Sequence, residues 1–350
     1  MSKQHISELG ELVDPRAPRY LRACDISGFP VEQLMGFLQT MRRIRATEEQ
    51  IAAWVEQGVA HCPCHLGIGQ EAVASGVAAA LRSSDRLFGN HRSHAHYLAA
   101  HGDLYALLAE VLGRDDGCSR GMGGSMHLQS LACGFFGSVP IVAGTIPIAV
   151  GAALAAKMDG GSDIAVAFFG DGAAEEGVMH ESLNLAASYR LPVLFVCENN
   201  QYSSHLDIAL RQPSDRVSRY AEAHRVRAQI VDGNDVAAVA RAAGTLVLAA
   251  RTQGEPAFLE AITYRWRGHV GPKEDVDVGV RRSMEQLTAW KGRDPVRRLE
   301  EALLGAGLAT AAQLGRLEEE VCAEVRTEAA RALTAPWPPE SALLDLVYAR

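Results

Sequence analysis

Residues 163–177 read "DIAVAFFGDGAAEEG". The apolar run is too short for a buried helix and ends on glycine, which makes it a strand covered on both faces. The residues just past it decide the rest: Gly170-Asp171-Gly172, then small residues, then two acids. A carboxylate between glycines is either a tight turn or one side of a metal site. The segments downstream bear on the choice. Residues 176–189 read as a helix and "PVLFVCE" (192–198) as a second strand, with Asn199-Asn200 immediately after it. "VRAQIV" (226–231) is a third strand, Asp235 caps a helix running to about Gln253, and "PAFLEAITYRW" (256–266) is a fourth strand.

Strands alternating with helices imply an α/β fold, a parallel sheet flanked by helices. Parallel strands end on one edge, and open α/β sheets bind ligands there. Asp171 comes after one strand and Asn200 after the next, twenty-nine residues apart, which is one strand–helix–strand unit. Either alone is an ordinary Asp-Gly or Asn-Asn turn. One crossover apart, they converge on one crevice. A carboxylate with an amide oxygen is a hard-oxygen set suited to Mg²⁺ or Ca²⁺, and Mg²⁺ takes few protein ligands, sharing the rest with phosphates and water. Gly170, Gly172, Ala173 and Ala174 leave room for a phosphate at a helix start.

The remainder of the chain bounds the reading. Its 350 residues, 48% hydrophobic, suffice for one large or two modest domains with a buried core. We expect an irregular N-terminal arm over 1–30, a cofactor-binding domain over 31–270, and a loop with a helical tail over 271–350. Val31–Gln57 reads as a long helix, Glu71–Leu81 and Leu104–Leu112 as short ones in a Gly/His-rich region, and Arg281–Trp290 and Ala311–Leu333 as tail helices. A net charge of −8 without a basic stripe argues against nucleic acid. The most lipid-like stretch, "IVAGTIPIAVGAALAA" (141–156), is short for a membrane span and broken by Pro147, so a buried loop and helix are expected. The first twenty residues lack an apolar signal core and carry acids, and the seven cysteines are scattered. Both point to a cytoplasmic protein with reduced thiols. Cys62-Pro63-Cys64 is expected to be two small packed thiols. His91, His94 and His96 have metal-like spacing, but no cysteine or acid completes a zinc set and Arg92 lies among them, so no zinc site is expected there.

GDG followed by NN at this spacing resembles the thiamine-diphosphate motif. "GCSRGMGGSMHL" (117–128), the stretch 170–202 and "TYRWRGH" (263–269) are similar to the α subunit of 2-oxo-acid dehydrogenase first components, of the pyruvate, branched-chain and acetoin type. The resemblance runs from about residue 30 to the end. It implies thiamine diphosphate and Mg²⁺ as cofactors, the ion held by Asp171, Asn200 and the carbonyl of Tyr202. It further implies diphosphate contacts from Gly170, Gly172, Ala173 and Arg92. His91 stands where the family has Tyr, Pro140 and Val142 fall on the aminopyrimidine cradle, and Ala132 on a further cofactor contact. His65 in "CHLGIGQEA" (64–72) and His269 match active-site histidines that orient the substrate and move protons near the cofactor.

The family's chemistry also needs a Glu that protonates the aminopyrimidine, and in split members it lies on a separate β subunit. The resemblance therefore implies a β partner with a pyrimidine-binding domain, an α₂β₂ assembly, a 2-oxo-acid substrate and acyl transfer to a lipoyl acyltransferase core. The isolated chain is expected to be inactive. Where family members carry a phosphorylatable Ser, this chain has Val270, then "GPKEDVDVG" (271–279), so kinase control at that position is not expected. Acyloin-forming or acyloin-cleaving chemistry, a split transketolase-like enzyme and a non-catalytic subunit remain as alternatives, distinguished by substrate assays and by cofactor titration.

Overall fold

The computed structural model describes residues 7–345 of the chain. Helix α1 (Val31–Glu56) leads to α2 (Glu71–Ala78), strand β1 (Arg86–Gly89), α3 (His94–Ala99) and α4 (Leu104–Val111). Then come strand β2 (Phe135–Ser138), α5 (Thr145–Met158), β3 (Ala165–Gly170), α6 (Gly177–Tyr189) and β4 (Val193–Asn199). The chain continues through β5 (Arg227–Asp232), α7 (Val236–Gln253) and β6 (Ala257–Ile262) to the tail helices α8 (Met284–Lys291), α9 (Pro295–Gly305) and α10 (Ala311–Thr334).

The six strands form one parallel sheet in the order β2-β1-β3-β4-β6-β5. Alternate residues of β3 and β4 face opposite layers, as the strand period requires. Val166, Phe168, Leu194 and Val196 pack beneath α2, α4 and α7. Ala165, Ala167, Phe169, Val193, Phe195 and Cys197 pack beneath α5 and α6. This two-sided burial explains why the strands read as unbroken apolar runs, each buried Phe adding about 2 kcal/mol. Val325, Ala329 and Ala332 of α10 enter the first of these layers, so the tail shares its core.

Local signals explain several boundaries. The Asp235 carboxylate accepts the Ala238 N–H at 2.9 Å and starts α7. Pro147 sits in the first turn of α5, where its missing N–H is tolerated, so the apolar stretch 141–156 is a loop running into a helix, but not the buried one expected, because Ile141, Val142 and Ile148 are half or more exposed. No helix among the described residues is long and apolar enough to cross a membrane.

Two further expectations need correction, and two strands went unforeseen. The fourth expected strand stops at Ile262: Thr263 N–H still donates to Asn199, but Trp266 N–H turns to the Ile68 carbonyl. The helix expected from Arg281 starts at Met284, because Ser283 caps it and Val280–Arg281 pairs back on Val276–Asp277. Strands β1 and β2 are each four residues long, and the Gly/His-rich composition around them gave no strand pattern.

Candidate active site

Going from β1 to β2 the chain moves outward, and it returns to place β3 on the other side of β1. A crevice opens at such a reversal, outside the carboxyl ends of the strands. Here it is a cavity of about 180 Å³ lined by Asn90–Arg92 after β1, Ile141–Ala143 after β2, Gly170–Ala173 at the end of β3, and Asn200 and Tyr202–Ser204 after β4, with His269 from beyond β6. Ala143, Gln201 and Ser204 in these rim loops hold positive φ angles of 61°, 70° and 54°. Such strain in non-glycine residues gathers at functional sites.

Asp171 is 1% exposed. Its Oδ2 pairs with the Arg211 guanidinium, which also holds Glu175. Its Oδ1 has no hydrogen-bond partner among the described residues. Burial pushes the Asp171 carboxyl above the usual range, against the pull of Arg211. A buried carboxylate with one free oxygen is a ready ligand for a hard cation.

The two asparagines divide their labour. Asn199 ties the sheet together: its amide donates to Glu260 at 2.7 Å and to the Asp215 carbonyl at 3.0 Å. Asn200 turns its amide nitrogen to Gln70 Oε1 at 3.3 Å, while its Oδ1 accepts the Tyr202 N–H at 3.2 Å and retains acceptor capacity. Gly172 completes a cradle, because a Cβ there would lie 2.5 Å from Ser203 Oγ. Arg92 is 6% exposed, and its hydrogen bonds go to the carbonyls of Leu66 and His269. Burial, then Arg265, pushes it down to about 9. A buried guanidinium with only neutral acceptors is suited to an anion. The acid, the amide, the Gly172 cradle and the cation thus fit a diphosphate bridged by a divalent ion.

Three imidazoles complete the crevice. His65, His91 and His269 meet edge to face, with ring centroids 4.8, 5.0 and 5.3 Å apart. Burial, then the charge of Arg92, pushes His65 down to about 3, His91 to about 2 and His269 to about 4. All three are therefore neutral at pH 7, with ring nitrogens available as hydrogen-bond acceptors. His65 Nδ1 is buried without a partner among the described residues.

The His91/His94/His96 spacing does not make a site. His94 bonds to Glu48 and to Ser125 at 2.8 Å, and His96 stacks on Phe168 at 4.1 Å, 3.2 Å from Glu198. Only His91 of these faces the crevice.

The crevice thus gathers His91, Arg92, Val142, Gly170, Asp171, Gly172, Ala173, Asn200, Tyr202 and His269, with His65 behind them. Pro140 stands one residue before the lining segment that starts at Ile141. Ala132 is elsewhere, with Ser130 and Cys133 in the wall of a separate cavity of about 540 Å³.

Sequence reasoning missed four contributors. Glu198 lines the crevice immediately before the NN pair, a carboxylate at a strand's carboxyl end that was open to view in the sequence. Gln70, which orients Asn200, sits in the same segment as His65. Asp277 pairs with Arg265 at 2.6 Å and accepts the His269 N–H, so it pins the loop that carries His269. Arg211 gave no local signal: it reaches Asp171 across forty residues of chain.

An open parallel sheet whose reversal point carries a buried acid with one free oxygen, an oriented amide and a buried guanidinium without a countercharge has the layout of an enzyme that holds a phosphorylated cofactor. Comparison with known proteins sharpens this. The family model described as dehydrogenase E1 component matches residues 39–341. The α subunit of acetoin:2,6-dichlorophenolindophenol oxidoreductase from Bacillus subtilis is 35% identical over 91% of this chain and 94% of its own length. Pyruvate dehydrogenase E1 component α subunits from Oryza sativa and Zymomonas mobilis are each 37% identical, covering 93% and 89% of this chain and 82% and 87% of their own. The chain belongs to the dehydrogenase E1 component family, whose members are thiamine-diphosphate-dependent oxidoreductases.

Proposed function

We propose that the chain is the α subunit of a Mg²⁺- and thiamine-diphosphate-dependent 2-oxo-acid dehydrogenase, and that it oxidatively decarboxylates a 2-oxo acid and passes the acyl group to a lipoyl acceptor. The observation that carries this reading is the meeting of Asp171, with its free Oδ1, Asn200 and the buried Arg92 around one crevice. Asp171, Asn200 and the Tyr202 carbonyl would hold Mg²⁺. Gly170, Gly172, Ala173 and Arg92 would hold the diphosphate. When bound, the cofactor supplies a nucleophilic carbon and a sink for the electrons left by CO₂ loss.

The chain's own residues then set the conditions. His65 and His269, held neutral, would orient the substrate through hydrogen bonds beside the cofactor, with Nδ1 of His65 available for one. Arg92 balances negative charge in a site where burial strengthens every charge interaction. Pro140 and Val142 bring the rim loop against the cofactor's ring. Ala132 lines its own cavity, away from this crevice.

The crevice rim supports a shared site. Ile141 is 69%, Val142 50% and Ile148 54% exposed, an apolar edge beside the crevice. We assign it to a separate β subunit that supplies the pyrimidine-binding domain and the activating Glu, in an α₂β₂ assembly docking on a lipoyl acyltransferase core. The free state of Cys24, Cys64, Cys197 and the other cysteines suits the cytoplasm.

The Bacillus subtilis relative favours a second reading, acyloin cleavage. The test is a substrate panel with the β partner present, using dichlorophenolindophenol or lipoamide as acceptor. Pyruvate or a branched-chain 2-oxo acid should turn over at least ~10-fold better than acetoin. Acetoin as the better substrate would select the second reading, and turnover of neither would remove both.

A further inference from the structure

Cys62 and Cys64 flank Pro63 on the segment that runs into His65. Their sulfurs lie 3.7 Å apart. Cys62 is partly exposed, and Cys64 is 1% exposed. The pair therefore has one thiol that a small solute reaches and one behind it, already in contact. We propose that Cys62-Pro63-Cys64 is an oxidative modification site, a dithiol that a hydroperoxide converts to an intrachain disulfide.

The surroundings favour this chemistry. The contact with Cys64 holds the Cys62 thiol well below an ordinary thiol, while the same contact and burial raise Cys64. The thiolate is the nucleophile, so Cys62 reacts first. Its sulfur attacks one peroxide oxygen, the O–O bond breaks, and the other oxygen leaves as alcohol or water. Cys62 is then a sulfenic acid. Cys64 gives up its proton and attacks that sulfur; the S–O bond breaks and the oxygen leaves as water. Two thiols lose two electrons in all, and the hydroperoxide is reduced. The sulfurs must close from 3.7 Å to about 2.05 Å. Pro63 limits the backbone freedom between them.

This site is independent of the cofactor reading but adjoins the crevice. Cys64 precedes His65, and its carbonyl accepts the Gly271 N–H at 2.8 Å, two residues beyond His269. Drawing Cys64 toward Cys62 therefore pulls on both histidine-bearing segments at once.

The test uses the reduced full chain. It is treated with equimolar hydrogen peroxide, its remaining thiols are alkylated, and its peptides are weighed. Cys322, partly exposed with a thiol raised by burial and Glu318, is the internal reference. We expect Cys62 and Cys64 to escape alkylation together in a peptide lighter by two hydrogens, at a rate at least ~10-fold above oxidation of Cys322. Dithiothreitol should reverse the change. In Cys64→Ser, dimedone should trap Cys62 as its sulfenic acid. The proposal is overturned if both thiols stay alkylatable, or if Cys62 oxidises no faster than Cys322.

Discussion

At the scale of single residues, burial changes ordinary chemistry. His269 is held neutral beside Arg92, and its backbone N–H is fixed by Asp277. His269→Ala should lower kcat by ~10²-fold or more with the unfolding midpoint nearly unchanged, because the ring touches the crevice and not the core. Steady-state kinetics beside chemical denaturation check this; normal turnover would make His269 structural.

The histidines also predict a pH dependence. An unfolded His91 takes a proton near its ordinary value of 6.5, whereas the folded one resists protonation down to about 2. The unfolded state thus binds more protons as pH falls below about 6.5, and folding stability is lost in that direction. His91→Phe removes the site from both states, so it should lose less stability than the parent between pH 7.5 and 5.5. Equal losses by urea titration would contradict the burial of that ring.

At the scale of elements, the legibility of the sequence depends on period and burial. Strands β3, β4 and β6 are covered on both faces, so their apolar runs stood out, and the turns after β3 and β4 carried their ligand types in their own residues. Strands β1 and β2, four residues each, left no periodic trace, although β1 and β3 bound the crevice. Long-range partners were equally silent. Arg211 ends the one-turn helix Ile208–Arg211 and Asp277 lies in the two-residue strand Val276–Asp277, short elements whose local sequence says nothing of where they fold back. The Asp277 carboxylate shows what that folding achieves: it pairs with Arg265 between side chains 3% and 2% exposed. Removing one partner of such a pair leaves a buried charge and costs about 3–5 kcal/mol. Asp277→Ala should accordingly lower the thermal midpoint and kcat together. A variant that lost neither would show that the loop bearing His269 is held by something else.

At the scale of the whole molecule, an apolar edge beside the crevice is left exposed by the described residues. Ile148 lies on α5 with 54% of its surface exposed, near Gly151, at which an added Cβ would meet nothing within 4 Å. An exposed apolar edge next to half of a site is what a split enzyme requires. Ile148→Lys should weaken assembly with the β partner by ~10-fold or more, measured by sedimentation, while leaving the isolated chain's stability within about 0.5 kcal/mol. Assembly unaffected by the lysine would move the partner to another face.

The most direct test of the central claim is calorimetric titration of thiamine diphosphate into the chain assembled with its β partner, with and without Mg²⁺. We expect binding to require the ion, and Asp171→Ala to weaken it by ~100-fold or more, about 2.7 kcal/mol. Binding of equal strength without Mg²⁺, or unchanged by Asp171→Ala, would contradict the claim.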